Sequence, residues 1–147
     1  MIVVWGAMLI AFFCFLRKDN FTVDKADAFN MRRLLCRGDV VFGRSDVTFT
    51  FRHSKTNQFH ARVHRTKAVQ IPGHLLDPIR ALKNAFNVCP HANPAGPAFA
   101  VPTRDGGMAP LTHRLFVETL RFCLSKIGVD PMMFSGHSFR RGGATFA

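Results

Sequence analysis

Residues 1–16, Met1 to Leu16, carry almost no polar side chain, and the chain then changes abruptly to Arg17-Lys18-Asp19. Such a run must leave water, which restricts it to three forms. A signal peptide starts with basic residues and ends at a small-residue cleavage site, and neither is clear here. A membrane-spanning helix takes about 20 apolar residues, and this run stops short of that. The third form is a buried helix. Trp5, Met8, Leu9, Phe12, Phe13 and Leu16 recur at near-helical spacing, which predicts one helix through Leu16 with the rest of the fold around it. No membrane partner is expected. A chain opening inside such a helix also suggests further sequence upstream.

The following residues alternate between polar and β-prone stretches. Residues 21–37 are polar and basic, with Arg32, Arg33 and Arg37 around Leu34-Leu35, and read as a loop or short helix. Asp39-Val40-Val41-Phe42 is short and β-prone. Gly43-Arg44-Ser45-Asp46 has turn chemistry. Val47, Phe49 and Phe51 then alternate with Thr48, Thr50 and Arg52, the pattern of a strand with one buried face. Residues 53–58 read as a polar hairpin tip, and a third strand is expected from about His60 to Ile71, ended by Pro72-Gly73.

Two amphipathic helices are expected next. Leu75, Leu76, Ile79, Leu82 and Phe86 mark the first, with Asp77-Pro78 suited to its opening turn. Residues 88–97 form a loop, Phe99 and Val101 a short extended piece, and Asp105-Gly106-Gly107 a turn. The second helix is expected over Pro110–Ile127, capped by Thr112 and stopped by Gly128. Its buried face would hold Leu115, Phe116, Leu120, Cys123, Leu124 and Ile127, with His113, Arg114, Arg121 and Lys126 among its polar positions. The sum is one α+β domain, mostly helical, with a small antiparallel three-stranded sheet.

The chain has 147 residues and a formal net charge of +11. That excess predicts a polyanionic partner, nucleic acid ahead of a membrane surface. Cys14, Cys36, Cys89 and Cys123 form no Cys-x-x-Cys pair and read as reduced, mostly buried thiols. A zinc site from Cys89, His91 and distant histidines lacks the paired knuckle spacing. No metal and no cofactor are expected.

Ser135-Gly136-His137-Ser138-Phe139-Arg140-Arg141-Gly142-Gly143-Ala144-Thr145 is the stretch richest in chemistry. If Ser138 opens a helix, His137 and Arg140 share its first turn and one side. The unpaired backbone N–H groups there, the positive end of the helix dipole, a histidine and an arginine together favour a phosphate oxygen. Gly142 and Gly143 admit the close approach of another backbone or of DNA.

This stretch resembles the His-x-x-Arg box of the tyrosine recombinases, the phage-integrase family, in the form found in DIRS-type and Crypton-type eukaryotic mobile elements. Two further boxes lie upstream in the family's order. Arg17, in Phe13-Cys14-Phe15-Leu16-Arg17-Lys18-Asp19-Asn20, resembles the first catalytic arginine, although an arginine there also suits a plain helix C-cap. Lys55, in Ser54-Lys55-Thr56, resembles the catalytic lysine of the family's hairpin, although lysines are ordinary at such tips. Many members carry an acidic residue three positions after the first arginine; here that position holds Asn20.

The resemblance implies that Arg17 and Arg140 clamp a scissile phosphate, that His137 hydrogen-bonds to it or carries a proton, and that Lys55 is the general acid. It implies contacts to double-stranded DNA from Lys18, Arg52, Thr56 and Arg141, and self-association on DNA in a longer protein. Placement would be nuclear in a eukaryote, and otherwise cytoplasmic with the chromosome. The family's nucleophile is a tyrosine C-terminal to the His-x-x-Arg box, and this sequence contains no tyrosine. The resemblance therefore implies a partial catalytic domain over residues 1–147, without the core-binding domain and the tyrosine segment, and inactive as it stands. A non-catalytic DNA-binding remnant of a mobile element is the second reading, and a small membrane-associated basic protein the third. A type IB topoisomerase shares the chemistry, but the short interval between boxes and the text around His137 fit it less well.

Overall fold

The computed structural model describes residues 1–52, 63–90 and 92–146. The first helix, α1 (Ile2–Phe13), is apolar on every side. It lies inside the fold with Val3, Val4, Ala7, Met8, Ile10 and Ala11 buried, as a helix without a polar face must. It packs along α2 (Pro78–Asn87). Gly6 makes the close crossing possible, since a β-carbon there would come within 2.9 Å of Ala85 Cβ and 3.0 Å of the Ala81 carbonyl oxygen. Trp5, expected on the buried face, is exposed instead.

The helix ends earlier than its composition predicts. Phe15 adopts φ 53°, in the left-handed region. The Leu16 N–H bonds back to the Ala11 carbonyl at 2.9 Å, and the Phe15 N–H reaches that of Phe12 at 3.4 Å. This is a Schellman turn with phenylalanine at the position that usually holds glycine. Arg17 therefore does not end the helix. It stands beyond the reversal and opens a 3-10 turn over Lys18–Asn20.

Residues from Val40 to Val69 supply a three-stranded antiparallel sheet. β1 (Val40–Phe42), β2 (Asp46–Phe51) and β3 (His64–Val69) lie in that order, with Val40 opposite Phe49 and Phe49 opposite Thr66. Val47, Phe49 and Phe51 are buried and the residues between them are not, as their alternation predicts. The expected start of the third strand at His60 lies outside the described residues. A second, two-stranded sheet pairs β4 (Ala100–Pro102) with β5 (Met108–Pro110) around a turn with Gly106 at φ 83°. Three-residue strands are too short to show a period, so β5 leaves no trace in the hydrophobic pattern.

At α2 the expected start at Leu75 is corrected to Pro78. A proline disfavours helical conformation in the residue before it, and Asp77 sits extended at ψ 109°. Its carboxylate accepts from the Ile79 and Arg80 N–H groups at 3.0 and 3.4 Å. Leu75 is left 81% exposed, with Leu76 exposed beside it. Arg37 secures the other end of α2. Its guanidinium donates to the Phe86 and Cys89 carbonyls at 2.7 and 2.9 Å and lies 3.5 Å from the centre of the Phe86 ring. That member of the basic 21–37 stretch is structural, whereas Arg32 and Arg33 are exposed.

Thr112 caps α3 (His113–Lys126), its hydroxyl accepting from the Leu115 N–H at 3.2 Å. Gly128, at φ 73°, ends the helix by letting the Val129 N–H reach the Leu124 carbonyl at 3.1 Å. Of the face expected to be buried, Phe116 and Leu120 are covered, while Leu115, Cys123 and Ile127 are exposed. Phe122 is exposed as well. The apolar surface of α3 is thus wider than its contact with the core.

The last helix, α4 (Ser138–Phe146), lies against the C-terminal end of α1. Edge-on aromatic contacts run from Phe99 through Phe21 and Phe116 to Phe139 of α4, at 5.5–5.6 Å between ring centres. The architecture is α+β. All four cysteines are free; Cys14, Cys36 and Cys89 are buried and Cys123 is exposed. Among the described residues, no helix is long and apolar enough to cross a membrane.

Candidate functional site

Two segments from opposite ends of the chain meet at one corner. The first is the turn at Arg17–Asn20. The Arg17 N–H donates to Asn20 Oδ1 at 2.9 Å, and the Asn20 N–H returns a bond to the Arg17 carbonyl at 2.9 Å. Asn20 thus closes the backbone turn from which Arg17 projects. A carboxylate would accept the same bond, so the amide preserves the geometry while removing a negative charge beside the arginine.

The second segment is the opening of α4. The Ser138 hydroxyl accepts from the Ser135 N–H at 2.9 Å, and the Arg141 N–H bonds to the His137 carbonyl at 3.1 Å, which makes His137 the first residue to enter the helical ladder. Its own N–H reaches only Ser135 Oγ, at 3.4 Å. Ser138 opens the helix as its sequence context predicts, and His137, Arg140 and Arg141 are exposed.

Glycines bring the two segments together. Gly136 is buried beneath the Lys18 side chain, where a β-carbon would come within 3.1 Å of Lys18 Cγ and closer still to Cδ. Gly143 meets the Phe12 carbonyl oxygen, and Gly142 lies against the Phe12 ring. The close backbone approach at Gly143 is therefore made by α1, while Gly142 meets only a side chain. Among the described residues, the side chains of Arg17, His137, Arg140 and Arg141 enter no ion pair or side-chain hydrogen bond.

Lys18 and Arg52 stand differently. Lys18 Nζ is 2.8 Å from Asp19 Oδ1. Arg52 holds the buried Asp39 carboxylate with both terminal nitrogens, at 2.9 and 2.5 Å, which commits its guanidinium to the sheet. Lys55 and Thr56 lie outside the described residues, as does His91.

Beside the corner sits a polar cluster that no local spacing announces. The imidazole of His113, at the start of α3, lies between three segments. Its Nδ1 meets the hydroxyl of Thr22, which is only 2% exposed. Its Nε2 is 3.2 Å from Asp24 and 3.4 Å from Asp19. Thr22 Oγ1 also lies 2.6 Å from the Lys18 carbonyl. Burial draws the His113 pKa below its ordinary value and Lys18 adds to this, against the opposing pull of Asp24 and Asp19. For Asp19, burial acts upward, but the Lys18 bond and charge, with His113 and His137 behind them, hold the carboxyl below the ordinary range.

The order Thr22–His113–Asp24 has the outline of a nucleophile, base and orienting acid, but the hydroxyl is buried and out of reach of a substrate. Among the described residues no group of three or more His, Cys, Asp or Glu side chains is placed to hold a metal ion. What the corner offers chemically is a set of phosphate-binding donors: the half-buried Arg17 beside the turn, and His137 and Arg140 exposed at the opening of α4, with Asp19 as the nearby carboxylate. The chain matches no family model, no curated protein and no solved structure.

Proposed function

We propose that the corner formed by Arg17, His137 and Arg140 takes a phosphate of double-stranded DNA, as part of a catalytic domain of the tyrosine recombinase type. The observation that carries this reading is the seating of Gly136 beneath Lys18, which joins the first arginine turn to the His137 box. Phosphoryl transfer on DNA builds charge on the non-bridging oxygens, and fixed cations aimed at them stabilise that charge. Arginine suits the task because its planar fork bonds two oxygens and stays charged. His137 would donate a hydrogen bond to the phosphate or carry a proton. Lys55 is the general acid in this reading, and DNA breaking and rejoining the reaction class. A net charge of +11 favours the same partner.

The sequence holds no tyrosine, so these residues supply the clamp and the proton but not the attacking hydroxyl. That absence favours a second reading, a DNA-binding remnant that uses the same cations without chemistry.

The test is binding of a fluorescent DNA duplex across a salt series. Arg17→Ala and Arg140→Ala are each expected to weaken binding by about tenfold and to lower the salt slope by about one. A folded parent that does not bind duplex DNA, or two variants that bind as the parent does, would sink the reading.

A further inference from the structure

We infer that His113 is a positioning residue for this corner: its imidazole clasps the turn that carries Arg17 to the start of α3 and so sets where Arg17 and Lys18 stand against the His137 box. The inference rests on the reading that this corner takes a DNA phosphate.

The geometry supplies the argument. Thr22 has one hydroxyl hydrogen and two acceptors for it, His113 Nδ1 and the Lys18 carbonyl. With the ring neutral and its hydrogen on Nε2, the Thr22 hydroxyl turns from the Lys18 carbonyl to donate to Nδ1, leaving that carbonyl to the Thr22 and Phe21 N–H groups at 2.9 and 3.1 Å, while Nε2–H donates to Asp24 and Asp19 at 3.2 and 3.4 Å. Every polar atom of the ring is then satisfied. The opposite neutral tautomer would aim the Nε2 lone pair at two carboxylates, which is repulsive. In a protonated ring Nδ1 becomes a donor, and the Thr22 hydrogen must turn to the Lys18 carbonyl.

The charged groups around the ring are Lys18 and Asp19 from the turn and Asp24 from the loop after it, with His137 acting on Asp19 from the opening of α4. Through its two ring nitrogens His113 thus ties down both the segment just after Arg17 and the carboxylate that His137 senses. Lys18, whose stem covers Gly136, is also the residue whose backbone carbonyl Thr22 touches. A shift of this turn moves Lys18 across Gly136 and moves Arg17 with it.

The test uses the full chain, labelled with 15N, and a fluorescent DNA duplex of arbitrary sequence as the probe. His113→Ala is expected to displace the amide resonances of Asn20, Gly136 and His137 and to weaken duplex binding on the order of tenfold. His113→Gln, whose amide N–H reaches the carboxylates from about where Nε2 did, is expected to restore both. If the alanine variant does not fold, the parent still answers. Its His113 15N shifts are expected to show the neutral ring protonated at Nε2, and Asp24→Asn should lower the ring's titration midpoint, because it removes a carboxylate that favours the charged form. Unmoved Asn20, Gly136 and His137 amides in folded His113→Ala, a glutamine that restores nothing, or a neutral ring protonated at Nδ1 would overturn the inference. Amides that respond as expected, with duplex affinity indifferent to His113→Ala, Arg17→Ala and Arg140→Ala alike, would support the clasp and refute the phosphate reading.

Discussion

Gly143 of α4 lies so close to the carbonyl oxygen of Phe12 that a β-carbon at this position would overlap it. The obstacle is backbone, at the last turn of a buried helix, so it has little room to yield. The same glycine approaches the Phe15 ring, a β-carbon there falling 3.0 Å from Phe15 Cδ1.

Gly143→Ala is therefore expected to destabilise the fold by about 1–3 kcal/mol, as overpacking does, despite alanine's better helix propensity. Gly142→Ala meets only the Phe12 ring, at 3.5 Å, and is expected to be neutral or mildly stabilising. Urea unfolding midpoints of the two variants would decide. Equal effects would mean that α4 does not dock on α1 as described.

Phe15 combines a left-handed backbone with a partly packed ring. Replacing it by alanine and by glycine removes the ring in both cases but relieves the backbone only in the second. Phe15→Gly is expected to be more stable than Phe15→Ala by about 1 kcal/mol. Glycine's greater freedom in the unfolded chain works against this gain. A Phe15→Ala variant as stable as Phe15→Gly would argue against the positive φ.

Thiol chemistry reads burial directly. Burial pushes the Cys14 thiol up to about 12, with a side-chain bond from Thr66 acting weakly the other way. Burial likewise raises the Cys36 and Cys89 thiols. The thiolate is the reactive form. Cys123, exposed on α3, is therefore expected to be alkylated rapidly in the native protein, and the other three only on unfolding. Mass spectrometry after brief treatment with iodoacetamide would show it. Rapid labelling of Cys14 would contradict its place under the sheet.

Acid should weaken the fold in two stages. The folded pKa of His113 lies below its unfolded value, so the unfolded chain takes up that proton first. Stability is then full above the unfolded histidine pKa, near 6.5, and declines as pH falls from there toward the folded pKa. Asp19, also lowered, contributes stability above its unfolded pKa that is lost as pH falls through the acidic range to its folded pKa. His113→Gln is expected to remove the first decline and leave most of the second, because Lys18 acts more strongly on Asp19 than His113 does. Denaturant midpoints measured across pH would separate them, and an unchanged first decline in the variant would assign it to another group.

Much of the local structure was legible because it depends on neighbours within a turn. The alternation of Val47, Phe49 and Phe51 announces a strand with one buried face. Thr112 and Gly128 mark the two ends of α3, and Ser138 the start of α4. Asp77-Pro78 also carried the true start of α2, although the apolar pair Leu75-Leu76 extended the apparent helix upstream. For the candidate site, the box at His137 could be read from side-chain chemistry at a spacing of three. The roles of Asn20 and His113 could not, because each depends on a partner's position rather than on a pattern.

By itself, then, the sequence determined the identity and order of the main elements, since capping, turn formation and periodicity act between residues a few positions apart. Tertiary structure alone decided where those elements lose water and what they touch. It selected which apolar residues of α3 are covered, for an amphipathic pattern defines a stripe and not its contact area. It turned α1 back at Phe15, against that residue's local preference, and the ring's contact at Gly143 accompanies that turn. It also placed Gly136 beneath Lys18 and His113 between Thr22 and two carboxylates. Those contacts join segments far apart in the chain, and burial against such partners leaves no local period from which to infer it.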